Sequence, residues 1–133
     1  MMNKINCFGG MLVLSFLLLL STASLADENE KYAYHQYLLN SLDDENVGRR
    51  ASAAMLLGDN GVDEAIVPLM KMLKTEKDFR VRIIAAVSLY KVGDPSIVPQ
   101  LKEVFKKEKN KTVKHVLNGV ISDLLSQEIV IVK

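Results

Sequence analysis

The chain predicts an all-α fold: a short α-α superhelix, or solenoid of stacked antiparallel helix pairs, behind an N-terminal leader. Three observations carry this reading. A helix–turn–helix pattern occurs twice, about 32 residues apart, and a fixed period in that range marks units that bury their apolar faces only against each other. Apolar residues outside the leader follow three-four spacing rather than strict alternation. The first 26 residues differ in character from everything after them.

The repeat is explicit in the residues. Arg49-Arg50-Ala51-Ser52-Ala53-Ala54-Met55-Leu56-Leu57 leads through Gly61 and Asp63 to Ile66-Val67-Pro68. Val81-Arg82-Ile83-Ile84-Ala85-Ala86-Val87-Ser88-Leu89 leads through Gly93 and Asp94 to Ile97-Val98-Pro99. Arg50 aligns with Arg82, the paired alanines with each other, Asp63 with Asp94 and Pro68 with Pro99. On this alignment the register slips by one in the turn, where Val62 is extra.

The elements follow in order. In the leader, Lys4 is the only charge, Met11–Leu20 is an apolar run broken by Ser15, and Ser24 and Ala26 are small. That reads as a signal peptide over 1–26, cut before Asp27; an uncleaved membrane anchor is the alternative. The domain is 27–133. Its first helix is expected over 30–42, with Tyr34, Tyr37, Leu38 and Leu42 on one stripe. Repeats are expected over 47–77 and 78–109, and a half-repeat over 110–126. Asn46, Asp63, Asp78 and Asp94 stand where N-caps belong. The first repeat is expected to bury Val47, Ala51, Ala54, Leu57, Ile66, Leu69, Met70 and Leu73. The second is expected to bury Val81, Ile84, Ala85, Leu89, Ile97, Val98, Leu101, Val104 and Phe105. Glu128–Val132 is a β-branched run with no helical period.

Composition narrows the chemistry. The single cysteine, Cys7, lies in the leader ahead of its apolar run, so the mature domain has neither disulfide nor thiol and stands on helix packing alone. The net charge of +1 conceals a division: residues 27–64 hold nine acids against three basic residues, and residues 65–115 hold twelve basic residues against five acids.

With these residues in view, the unit V-R-x-x-A-A-x-x-L, turn, G-x-D, I-V-P resembles the short HEAT-like repeat of bacterial proteins, of the kind seen in phycocyanobilin lyase subunits. The resemblance covers Val47 to Asp123. It implies a right-handed stack whose second helices line a concave face. It also implies a polar ladder between units, which by position would join Asp63 and Asp94 to Arg50 and Arg82. The chain departs from the pattern at Arg49 and Lys114, and lyase activity does not follow from the resemblance.

No catalytic, metal or cofactor site is expected. His35 and His115 are the only histidines and fall in different units, and metal-ligand, P-loop and nucleophile-elbow spacings are missing. Asp43-Asp44-Glu45 reads as a solvated break, and Asn110-Lys111-Thr112 is a glycan sequon only in a eukaryotic secretory route. Tyr32, Tyr34 and Tyr37 cluster on the first helix, either as packing against the next pair or as a partner contact. Lys71, Lys74, Lys102, Lys106 and Lys107 lie on the second helices and form the candidate partner-binding face. The expected function is an exported, periplasmic or secreted, non-catalytic scaffold that takes an acidic segment of a protein partner. The alternatives are a self-assembling homo-oligomer and an accessory subunit, chaperone or lyase-like. Nucleic acid is not an expected partner, and membrane contact follows only if the leader stays uncut.

Overall fold

The computed structural model describes residues 28–131, with side chains placed through Gln127. The leader therefore lies outside the described residues. The chain divides into two compact units between Tyr34 and His35. Of the first unit, residues 28–34 are helical, and Tyr32 and Tyr34 are exposed. The second unit begins with helix α1 over 35–41. It continues with α2 (Val47–Asp59), α3 (Ile66–Thr75), α4 (Phe79–Val92), α5 (Val98–Lys107) and α6 (Lys111–Ile131). Single 3-10 turns at Asp63–Ala65 and Pro95–Ile97 lead into α3 and α5. No strand occurs among the described residues. The β-branched run after Gln127 stays helical to Ile131.

The helices pack in two rows. α2 lies along α4 and α4 along α6; α3 lies against α4 and α5 against α6. Each second helix thus closes on the first helix of the following unit, which is how a solenoid builds one continuous core from units that have none alone. Leu57, Leu69, Leu73, Leu89, Leu101, Leu117 and Leu124 are all fully buried in that core. Each contributes about 1.5–3 kcal/mol relative to an exposed position.

Small residues set the helix spacing. Ala53, Ala54, Ala85 and Ala86 are buried. Gly58 on α2 meets α4 so closely that an added Cβ would stand 2.7 Å from Ser88 Cα. On α4 the counterpart of Gly58 is Tyr90, which is half-buried. On α6 the counterparts of Ala54 and Gly58 are Asn118 and Ser122, both exposed. The apolar face is therefore handed on from α2 to α4 and ends in polar residues on α6, as a terminal unit requires.

The buried stripes differ from the expected ones in several places. In the second unit Leu38 and Leu42 are buried while Tyr37 is 63% exposed, and Tyr34 is exposed as well. Leucine fills the inner face of α1 and the phenol ring stays wet. Val47 is exposed because it opens α2 ahead of the helix contact. Ala51, Ile66, Ile84 and Phe105 are half-buried, and Met72, Ala86 and Ser88 join the buried set.

The period itself is corrected. The backbone repeats every 32 residues with no slip at Val62. Gly61 and Gly93 both turn the chain at positive φ, 60° and 81°, a conformation that glycine alone enters without a Cβ penalty. Immediately after them, Val62 (φ −81°, ψ 106°) and Asp94 (φ −87°, ψ 107°) share one conformation and one role as N-cap of the 3-10 turn. Ala65 and Ile97 follow, then Leu69 and Leu101, then Met72 and Val104, every one of them buried. Val62 is no insertion: it is 3% exposed, and its N–H donates to the Leu57 carbonyl at 3.1 Å. Consequently the Ile-Val-Pro matches are out of step in space. Pro68 is the third residue of α3, whereas Pro99 is the second of α5. Turn geometry and buried leucines outrank a three-residue motif in setting the register.

Candidate partner-binding face

The joints between units recur on the same 32-residue frame. Asn46, Asp78 and Asn110 each cap the following first helix through a side-chain oxygen. Asn46 accepts from the Gly48 and Arg49 N–H groups, Asp78 from Arg80 N–H, and Asn110 from Thr112 and Val113 N–H. A turn later on each helix comes the basic position Arg50, Arg82 or Lys114.

Arg50 and Arg82 staple the joints. Arg50 Nε donates to Glu76 at 2.9 Å, and its Nη1 donates to the carbonyls of Asp44 at 2.9 Å and Glu45 at 3.0 Å. Arg82 donates through Nε and Nη2 to the two Glu108 oxygens at 2.9 and 3.0 Å, and through Nη1 to the carbonyls of Glu76 and Lys77. One guanidinium thus ties the start of its own helix to the loop after the second helix of the same unit. The fixed fork of arginine suits this task. The glutamates also accept backbone N–H groups in their own loops, Glu76 from Lys77 and Asp78, Glu108 from Lys109 and Asn110.

These partners replace the expected ones. The ladder runs to Glu76 and Glu108, and Asp63 and Asp94 lie elsewhere. Asp94 caps its 3-10 turn through Ser96 N–H at 2.9 Å. Asp63 sits one place further along, inside the first turn, and makes no cap bond; the N-cap there is Val62. The one-residue error in the sequence alignment explains why the two aspartates differ. Neither glutamate belongs to the repeat motif, but their context recurs at 32 residues as Glu76-Lys77-Asp78 and Glu108-Lys109-Asn110, a signal the sequence offered. Lys114 has no fork and lies over the Phe105 ring, 4.8 Å from its centroid, a cation–π contact in place of a staple.

The staples control carboxylate ionisation. The Arg50 guanidinium holds the Glu76 carboxyl below the ordinary glutamate value, against a smaller upward push from burial. Burial pushes Glu108 up, but Arg82 and the Asn110 and Lys109 N–H groups together outweigh it and leave its pKa lowered. Arg80 and its backbone N–H bring Asp78 down to about 2. All three carboxylates stay charged across the physiological range.

The lysines of the candidate face are divided by the fold rather than gathered. Lys74 and Lys107 line a groove of about 580 Å³ between the ends of α3 and α5, together with Lys109, Arg82, Glu76, Glu103 and Glu108 over Leu73 and Val104. Lys71 lines the equivalent groove one unit earlier, about 430 Å³, where it pairs with Asp43 at 3.1 Å. Lys106 pairs with Glu103 at 2.7 Å and lowers its pKa, and Lys102 is exposed outside both grooves. Exposed pairs of this kind contribute at most about 1 kcal/mol.

The two grooves correspond residue by residue yet differ in charge. In the earlier groove Arg50 meets Glu76, Lys71 meets Asp43 and Asp44 meets Arg49, leaving Glu45 and Lys77, which cancel. In the later groove Arg82 meets Glu108, while Glu76 and Glu103 are taken by Arg50 and Lys106. Lys74, Lys107 and Lys109 remain with no carboxylate partner. Among the described residues there is no group of histidine, cysteine and carboxylate side chains placed to hold a metal, and no helix long and apolar enough to cross a membrane.

Comparison with known proteins agrees with this architecture. No curated protein matches the chain. The family model of HEAT repeats matches residues 36–120, which takes in α1 to α5 and most of the packed part of α6. HEAT repeats generally mediate protein–protein interaction. With stacked helix pairs, stapled joints and a match across most of its length, the chain belongs to the HEAT-repeat family.

Proposed function

We propose that this protein is an exported, non-catalytic adaptor that holds an acidic segment of a protein partner on its second-helix face. The observation that carries the reading is the surplus of cationic side chains beside α3 and α5: Lys74, Lys102, Lys107 and Lys109 have no carboxylate partner. A lysine surplus of this kind steers an acidic partner and sets its orientation more than it adds raw affinity. Export is supported by the residues of the leader and is tested separately, by the mass of the mature chain, which should begin at Asp27.

The binding reading is tested by charge reversal. Lys74→Glu, Lys102→Glu and Lys107→Glu together should weaken retention of the native partner at least tenfold at low salt, and less at high salt where exposed charges are screened. Unchanged retention by a folded triple variant contradicts it.

The opposite charges of the two halves of the chain favour a second reading, head-to-tail self-association. Against it stand Asn118 and Ser122, polar where a stacked copy would need an apolar face. Sedimentation across a salt series separates the readings: the adaptor is a monomer at all salt concentrations, and the assembly dissociates as salt rises.

A further inference from the structure

We infer that the partner is read at one place, the groove between α3 and α5. Its occupant is a short acidic peptide segment carrying an apolar residue. The inference rests on the adaptor reading and narrows it.

The argument is a subtraction between two grooves of the same construction. Both lie at a unit joint beside a stapling arginine, and both are wide enough for a peptide side chain, about 580 and 430 Å³. The earlier groove is internally neutralised: Asp43 occupies Lys71, and Asp44 and Glu45 stand at its rim, where an acidic peptide would meet like charge. In the later groove the frame is the same, but Thr75 is replaced by Lys107 and Asp44 by Glu76, whose charge Arg50 already satisfies. Three cations therefore face the opening unanswered. Beneath them lie Val104 and Leu73, and lysine stems add further apolar surface to the walls. A rim of cations over an apolar floor is complementary to a segment in which carboxylates flank an apolar side chain. Only one of the two grooves has that chemistry.

The probe is a synthetic five-residue peptide, capped at both ends, with one leucine between two pairs of glutamates. It is titrated into methyl- and amide-labelled protein at low ionic strength. The expected result is saturable shifts at the Val104 and Leu73 methyls and the Lys107 and Lys109 amides, with the Met72 methyl of the earlier groove silent. Replacing the peptide's leucine by serine should weaken binding about tenfold. K107E together with K109E should remove the shifts while the remaining amide spectrum stays in place. No saturable shift, equal shifts in both grooves, or equal binding of the serine peptide each overturns the inference. Failure here differs from failure of the adaptor reading: a triple reversal that releases the native partner while these methyls stay silent keeps the face and removes the groove.

Discussion

The joint at Arg50 and the joint at Arg82 use the same atoms, 32 residues apart, and are nevertheless not the same. Arg50 meets Glu76 through one nitrogen, with the two side chains 20% and 11% exposed. Arg82 grips Glu108 through two nitrogens, at 15% and 8% exposure. The better-buried fork sits beside the groove with the unanswered lysines, and the single contact sits beside the neutral one. Repetition has fixed the backbone, while side-chain substitutions on that backbone have made one joint the tighter and the more cationic.

The sharpest way to break this comparison is to remove each arginine in turn. Arg82→Ala should cost about 3 kcal/mol, because it strands a mostly buried carboxylate on Glu108. Arg50→Ala should cost about 2 kcal/mol, the scale of a charged hydrogen bond at a wetter site. Urea unfolding of both variants measures the difference, and equal losses would show the two joints to be energetically alike.

Helix spacing gives a second contrast. Gly58→Ala sets a Cβ 2.7 Å from backbone and 2.8 Å from Ser88 Cβ, so α2 and α4 must part at a cost of about 1–3 kcal/mol, despite the better helix propensity of alanine. Tyr90→Phe, at the corresponding place on α4, should change the thermal midpoint little. Calorimetry on the two variants distinguishes a contact limited by backbone from one filled by a side chain.

Acid provides the gentlest probe. Glu76 and Glu108 have folded pKa values below the ordinary 4.5, and Asp78 falls from 3.8 to about 2. A depressed carboxylate contributes stability that is fully present above its unfolded value and is lost as pH falls through its folded one. The urea midpoint should therefore be level near neutrality and decline below about pH 4.5, with the Asp78 contribution fading last. Glu108→Gln should flatten the upper part of that decline more than Glu76→Gln does, if Arg82 grips harder than Arg50.

Much of this architecture was legible in the residues. Paired alanines, caps at Asn46 and Asp78 and three-four leucine spacing are local signals, and they identified the helix pairs. Register was not legible in the same way. The eye aligns Ile-Val-Pro with Ile-Val-Pro, but folding aligns Gly61 with Gly93 and Leu69 with Leu101, because a positive-φ turn and a buried leucine each carry more free energy than an exposed Val67. The staples were half visible: arginine at fixed spacing could be read, while its glutamate lies 26 residues away and is found only once the hairpin is closed. The lysines were visible as a group. Their sorting into satisfied and unsatisfied depended on which carboxylates the fold brings to each.

Deletion of Val62 tests the unbroken 32-residue frame most directly. If the residue were an insertion between otherwise matched units, removing it would improve the repeat, and the thermal midpoint would hold or rise. The structure makes Val62 a buried N-cap whose N–H and carbonyl are both bonded, to Leu57 and Ala65. Removal should rotate α3 by one residue, turn Leu69 out of the core and lower stability by roughly 3 kcal/mol or more, the cost of losing a buried leucine. A midpoint equal to or above that of the intact chain would contradict the account.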